Sequence, residues 1–123
     1  MNKIYNESEE MYLETILILK SEKQNVHAID ISNKMGFSRA SVSRAMQNLK
    51  NKGYIDILSN DSIILLKKGE EYADKIYSRH KTLTEFLIKL GVKNEVAEED
   101  ACKIEHVVSD ETIEAIKKYN STH

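Results

Sequence analysis

The chain has 123 residues, enough for one domain or two very small ones with a modest core. Its 41% hydrophobic and 31% charged residues are typical of a soluble globular protein, and no stretch approaches the roughly 20 apolar residues of a membrane helix. A single cysteine excludes an internal disulfide, and the N-terminus lacks the apolar core of a signal peptide. We therefore expect a cytoplasmic protein with no membrane association.

The net charge of −2 conceals two regions of opposite charge. Residues 23–52 carry six basic side chains and one acid, Asp30, which leaves an excess of five positive charges. Residues 95–114 carry eight acids and one base, Lys103. A basic block suggests a polyanionic partner, whereas the acidic block is either a solvated surface or a site for a cation.

Apolar periodicity and glycine positions divide the chain into predicted elements, and no proline interrupts them. Gly36, Gly53 and Gly91 each follow a periodic segment, as glycine does when it ends a helix, and Gly69 is expected to open one. The runs "YIDIL" and "SIILL" around "SND" predict a β-hairpin. The predicted helices lie at about residues 7–20, 28–35, 39–52, 68–90, 94–108 and 111–119.

Three helices followed by a hairpin is the order of a winged helix-turn-helix. The "MGFS" turn around Gly36 and the helical spacing of Val42, Met46 and Leu49 support this interpretation. We therefore predict a mostly α fold, in which an N-terminal winged helix-turn-helix of three helices and a two-stranded wing precedes an α-helical dimerisation domain. The predicted boundary divides residues 1–67 from residues 68–123.

The third predicted helix carries short, polar or basic side chains on the face opposite its apolar positions. Such side chains suit the major groove of DNA. Arginine pairs with guanine edges or phosphates, while serine and glutamine can contact either. An ordinary solvated helix face is the alternative, but the position between a helix-turn-helix turn and a hairpin favours DNA. The predicted DNA-binding residues are Ser38, Arg39, Ala40, Ser41, Ser43, Arg44, Gln47 and Lys50.

The stretch "ACKIEH" places Cys102, Glu105 and His106 within an arc of about 100° if it is helical. Three explanations remain open from these residues: a metal site, a cysteine nucleophile with His106 as its base, or ordinary packing. The nucleophile hypothesis lacks a glycine-rich oxyanion loop and a convincing orienting group, so we do not expect an enzyme. Met11, Glu14 and His80 are further metal donors on other predicted helices, although each alone is more often a core or surface residue.

Four segments give the chain a resemblance that covers nearly its whole length: "EEMYLETI", "FSRASVSRAMQNLKNKGYI", "RHKTLTEFLIKLGV" and "ACKIEHVVSDE". The chain resembles the diphtheria-toxin-repressor family of metal-activated transcription regulators, which includes iron-responsive and manganese-responsive repressors. The resemblance implies a metal-activated DNA-binding transcriptional regulator, in particular a repressor of metal-uptake genes. A metal-independent winged-helix regulator that senses an organic ligand is the alternative.

The resemblance also implies a set of metal ligands, position by position. Met11, Cys102, Glu105 and His106 match the activating site of the iron-responsive branch. Glu14 matches a carboxylate of the manganese-responsive branch, and His80 matches a histidine ligand of both. Glu98 stands where the iron branch has a histidine, and it is a candidate for an ancillary site.

The mixture of sulfur, carboxylate and imidazole donors indicates which metal ion the site would prefer. Magnesium and calcium disfavour sulfur, so we expect Fe(II) first and Mn(II) second, with Zn(II), Co(II) or Ni(II) able to bind in vitro. A bound ion is expected to link the DNA-binding module to the C-terminal helices. These helices are expected to form a homodimer that binds a palindromic double-stranded operator. Candidate dimer contacts are Ile88, Val92, Val96, Ile113, Ile116 and Tyr119.

Overall fold

The computed structural model describes residues 7–123, apart from the side chain of Glu7. Residues 8–74 and residues 75–123 form two compact units, and the boundary between them falls inside the fourth helix. The elements are α1 (Glu7–Glu22), α2 (Ala28–Met35), α3 (Arg39–Asn51), β1 (Ile55–Ile57), β2 (Ile63–Leu65), α4 (Lys67–Lys89), α5 (Asn94–Ile104) and α6 (Asp110–Thr122). This order confirms the predicted mostly α fold with a winged helix-turn-helix at its start.

The first unit is built around one apolar core. On α3, Val42, Met46 and Leu49 are buried, as their helical spacing predicts. The core also takes Leu13, which the sequence reading did not single out and which is fully buried on α1. Other buried members of this core are Tyr12, Ile16, Leu19, Val26, Ile31, Ile55, Ile63 and Ala73.

Local signals fix the helix-turn-helix. The backbone N–H of His27 donates to the carboxylate of Asp30 at 2.8 Å, which satisfies a free donor at the start of α2. Gly36 ends α2 at φ 74°, in the left-handed region that glycine adopts without steric cost. Ser38 then caps α3 by accepting a hydrogen bond from the backbone N–H of Ser41 at 3.1 Å.

The wing is the predicted hairpin. Its strands pair antiparallel in the register Ile55 with Leu65 and Ile57 with Ile63. The N–H of Ile63 also donates to the carbonyl of Val26 at 2.7 Å, so the segment before α2 is attached to the wing.

Gly69 has a different role from the predicted one. Helix α4 begins at Lys67, so Gly69 lies inside its first turn and does not open the helix. A Cβ atom at this position would lie 2.0 Å from the carbonyl oxygen of Tyr54. The glycine is therefore required because the backbone before the wing passes close to α4.

The second unit contains most of α4 together with α5 and α6. Its buried residues include Leu83, Ala101 and Ile113. Ile113 is only 3% exposed, so its prediction as a dimer contact is wrong, because it packs inside its own subunit. Helix α5 ends at Ile104, and the predicted continuation to Val108 is also wrong. Ser109 caps α6 by accepting a hydrogen bond from the backbone N–H of Thr112 at 3.2 Å.

Candidate metal centre and DNA-binding surface

Helix α3 presents an exposed polar and basic surface next to the helix-turn-helix turn. Arg39, Arg44 and Gln47 are exposed, and the first turn of this helix contains no acid. Since a helix N-terminus carries partial positive charge, this end of α3 favours a phosphate group. The remaining predicted contacts, Ser38, Ala40, Ser43 and Lys50, are exposed and Ser41 is half-buried.

Two of the predicted DNA contacts also support the helix itself. The hydroxyl groups of Ser38 and Ser41 lie 3.0 Å apart, and Ser38 is the cap of α3. Arg44 approaches the Ser41 hydroxyl at 3.5 Å. These serines therefore position the first turn of α3 while leaving the longer arginine side chains at the surface.

A groove of about 470 Å³ lies between α2, α3 and the wing. Arg39, Ser43 and Gln47 line one side of it, and His27 and Asp61 line another. Residues 53–66, which contain the wing, carry two acids and neither lysine nor arginine. The basic charge of this surface therefore comes from α3 and not from the wing.

A buried cluster of ionisable side chains occupies the second unit. The Nδ1 atom of His80 on α4 lies 2.8 Å from Oε1 of Glu105, which follows the end of α5. Glu105 is fully buried and His106 is 2% exposed. The second carboxylate oxygen of Glu105 has no hydrogen-bond partner among the described residues, and Nε2 of His106 lies 3.5 Å from it.

Burial of a carboxylate beside two imidazoles is costly unless the charge is balanced. The hydrogen bond that the Glu105 carboxylate accepts from His80 raises the pKa of His80 above its usual value, although partial burial opposes this shift. A divalent cation would satisfy the same carboxylate oxygens and accept the imidazole nitrogens as ligands. The carboxylate of Glu105 and the imidazole of His80, which lie within hydrogen-bond distance of each other, are therefore donors that suit a transition-metal ion.

The other predicted ligands lie in different surroundings. Glu98 is exposed, with Oε1 at 3.8 Å from Nε2 of His80. Cys102 is exposed on α5, in contrast to the buried Glu105 and His106. On α1, Met11 is half-buried and Glu14 is 7% exposed.

Arg79 is a residue that the sequence reading missed. Its guanidinium donates to the carbonyl oxygens of Glu105 and Val108, and it pairs with Asp110. The available sequence signal was a basic residue directly before His80 in a helix whose partner segment is acidic. Spacing alone could not show that this side chain reaches the segment that follows α5.

Two domain descriptions match this sequence. Residues 5–60 match the model described as "Iron dependent repressor, N-terminal DNA binding domain". Residues 66–122 match "Iron dependent repressor, metal binding and dimerisation domain". The chain belongs to the iron-dependent repressor family.

Several relatives of this family are similar over most of the chain. An uncharacterised helix-turn-helix-type transcriptional regulator of Methanocaldococcus jannaschii is 34% identical, and the match covers 91% of each chain. Transcriptional regulator MntR of Escherichia coli O6:H1 is 31% identical, with 91% of this chain and 72% of the relative covered.

Solved structures of the family have the same fold. The manganese regulator SloR is 27% identical, with a TM-score of 0.80 over 95% of this chain and 54% of the other. A manganese-dependent transcriptional repressor in complex with manganese has a TM-score of 0.86 at 23% identity, over 92% of this chain and 52% of the other. This chain thus spans about half the length of these solved regulators.

Membership of the iron-dependent repressor family decides the class of function. The protein is a metal-dependent, DNA-binding transcriptional regulator with a dimerisation domain, and it is not an enzyme. The hypothesis of a Cys102 nucleophile is therefore excluded. Among residues 7–123, no helix is long and apolar enough to cross a membrane.

Proposed function

We propose that the protein is a cytoplasmic repressor of metal-uptake genes that binds its operator when Fe(II) or Mn(II) is bound. The observation that carries this proposal is the contact of the buried Glu105 carboxylate with His80 in a chain whose α3 surface suits DNA. In the proposed division of labour, residues 1–67 bind DNA, and residues 68–123 bind metal and dimerise.

The proposed ligands are Met11, Glu14, His80, Cys102, Glu105 and His106, with Glu98 as an ancillary donor. Three of them have support from contacts, since His80, Glu105 and His106 lie within 3.5 Å of a neighbour in the group. Support for Met11, Glu14 and Cys102 comes from their match to the ligand positions of related regulators.

The choice between Fe(II) and Mn(II) depends on the balance of donors. The thiol of Cys102 and the thioether of Met11 favour Fe(II), whereas the carboxylates of Glu14 and Glu105 suit Mn(II) as well. Relatives described as manganese regulators, such as SloR, support the second metal. Zn(II), Co(II) and Ni(II) are expected to bind in vitro because late metals generally bind such sites more tightly.

Metal activates DNA binding, in this proposal, because its ligands come from both functional parts of the chain. Met11 and Glu14 belong to the DNA-binding part, whereas His80, Glu105 and His106 belong to the C-terminal part. A cation supplies positive charge that balances the negative charge of the Glu14 and Glu105 carboxylates. The ligands then favour the arrangement of the two parts that binds the operator.

A homodimer is proposed to place two copies of α3 on a palindromic operator. Exposed apolar side chains in the C-terminal unit support a subunit contact there. Ile88 is 41% exposed and Val96 is 48% exposed, while Tyr119 is 37% exposed. Val92 and Ile116 are half-buried and remain proposed contacts.

The test is the affinity for an operator selected from random duplex DNA, measured without metal and with Fe(II) under anaerobic conditions, Mn(II), Zn(II) or Mg(II). We expect Fe(II) or Mn(II) to raise the affinity at least about tenfold, a coupling of about 1.4 kcal/mol. Mg(II) is the control for ionic strength and should have little effect.

Two variants separate the metal response from DNA binding. His106→Ala should lose the response to metal while it keeps weak, salt-sensitive DNA binding. Arg44→Ala should bind metal normally but bind the operator more weakly in every condition. Equal operator affinity with and without each metal would overturn the proposal and favour a regulator that senses an organic ligand.

A further inference from the structure

Arg79 connects α4 with the segment that carries two proposed metal ligands. One guanidinium nitrogen, Nη1, donates to the carbonyl oxygen of Glu105 at 3.0 Å and to that of Val108 at 2.6 Å. The other, Nη2, donates to the carboxylate of Asp110 in the first turn of α6. The side chain is only 11% exposed. A single residue thus contacts the end of α5, the connection that follows it and the start of α6.

The Arg79 hydrogen bonds satisfy two backbone carbonyl oxygens, those of Glu105 and Val108, which accept no backbone hydrogen bond within the part of the chain that the structure describes. Helix α5 ends at Ile104, and Glu105 is its C-terminal cap residue. Carbonyl oxygens at a helix C-terminus lack partners inside the helix and carry partial negative charge, so a cation there is favourable. Arg79 provides this cation from α4. The backbone of residues 105–108 is therefore held by a contact that neighbouring residues do not supply.

The Arg79 contacts involve a residue of the proposed metal site, Glu105. Arg79 precedes His80, and the two side chains reach the same residue, Glu105, at its carbonyl and its carboxylate respectively. His106 follows directly in the sequence. Contacts that hold the backbone of residue 105 therefore also help to set how the Glu105 carboxylate meets the His80 imidazole.

We propose that Arg79 is a positioning residue for the metal centre, because its guanidinium holds residues 105–108 against α4 and so sets the distance between the proposed ligands His80 and Glu105. The inference rests on the proposed function, since it concerns the same ion. Groups that orient metal ligands without touching the metal typically change affinity 10- to 100-fold.

Lysine is the decisive substitution at this position. It keeps the positive charge, but an ammonium group cannot span two carbonyls and a carboxylate as a planar guanidinium does. Lys75 offers a matched control, because it lies one turn earlier on α4 and its Nζ is 3.6 Å from Asp110. No contact between Lys75 and the carbonyls of Glu105 or Val108 is found among the described residues, so Lys75→Met removes charge near Asp110 alone.

The experiment titrates Co(II) into the wild-type chain of 123 residues and into the Arg79→Lys, Arg79→Met and Lys75→Met variants. Visible absorption reports the geometry of the cobalt ligands, and circular dichroism reports the fold and Tm without metal. We expect Arg79→Lys to fold with a Tm near that of the wild type, to bind Co(II) about tenfold more weakly and to give an altered cobalt spectrum. Lys75→Met should match the wild type in all three measurements.

The outcomes separate this inference from the function on which it rests. Wild-type protein that fails to bind Co(II) would count against the metal site itself. If Arg79→Lys and Arg79→Met bind Co(II) with the same affinity and the same spectrum as the wild type, the proposed role of Arg79 is overturned. Loss of the folded protein in both variants would also overturn it, because Arg79 would then serve stability and not the metal site.

Discussion

Cys102 and Glu105 lie three residues apart but in different environments. The thiol is exposed, whereas the carboxylate is fully buried beside His80. On one continuous helix, residues three apart share a face, which is why the sequence groups the two. Helix α5 ends at Ile104, between them. The role of Cys102 is therefore the most informative question at the level of single residues.

We predict that Cys102 is a metal ligand and that replacing it changes the metal preference. A thiolate favours softer, later metals, whereas a carboxylate favours Mn(II). Cys102→Glu should therefore raise the ratio of Mn(II) affinity to Co(II) affinity by about tenfold, a shift of about 1.4 kcal/mol. Competitive metal titration measures this ratio.

Spectroscopy and a neighbouring variant supply the controls. Co(II) bound to the wild type should show sulfur-to-cobalt charge-transfer absorption, and Cys102→Ser should abolish it. Lys103→Ala changes the adjacent exposed residue and should leave both metals unaffected. An unchanged affinity ratio in Cys102→Glu, together with no charge-transfer band in the wild type, would place Cys102 outside the metal site.

At the scale of elements, the helices with strong local end signals are the ones that the sequence predicted well. Gly36 and Ser38 mark the turn between α2 and α3, and the structure has the left-handed glycine and the serine cap that they predict. The end of α5 was not predictable in the same way. Glu105 and His106 are compatible with a helix, and the Arg79 contacts to Glu105 and Val108 come from 26 and 29 residues away in the chain.

The start of α2 gives a prediction about stability and pH. Asp30 accepts from the N–H of His27 and pairs with Lys23 at 2.7 Å. The Lys23 hydrogen bond, followed by that from His27, lowers the pKa of Asp30 below its ordinary value of 3.8. Asp30→Ala should lower the free energy of unfolding by about 1 kcal/mol at neutral pH.

The sign of the pH dependence follows from the lowered pKa. The folded protein favours the ionised form of Asp30. The stabilisation that Asp30 provides is therefore fully present above the pKa that Asp30 has in the unfolded chain, and it is lost as the pH falls through the lower pKa that Asp30 has in the folded protein. The free energy of unfolding, measured with urea, should therefore differ less between the wild type and Asp30→Ala as the pH falls below 3.8. Glu22→Ala, at an exposed position, should show neither effect. A difference that stays constant into acid would contradict this role for Asp30.

At the scale of the whole molecule, the sequence separates a basic DNA-binding segment from an acidic C-terminal segment. The first surrounds α3, and the second supplies Glu105 and Glu98. The fold class could be predicted from patterns alone, whereas the set of candidate ligands came from the family resemblance and stays a prediction. The sequence could not show which apolar residues of the C-terminal helices are buried within the subunit and which are exposed, since this depends on packing between helices. Ile113 illustrates this, because its apolar character fits a subunit interface as well as the core in which it is buried.

If metal activates the protein, metal binding and DNA binding must be coupled, and thermodynamic linkage tests this coupling most directly. The measurement is the Kd for Mn(II) and for Co(II), determined with and without saturating operator DNA for the wild type and for Arg44→Ala. If metal raises operator affinity by a given factor, DNA must raise metal affinity by the same factor. We predict at least about tenfold tightening for the wild type, a coupling of about 1.4 kcal/mol. Metal affinity that is identical with and without bound operator would contradict the account.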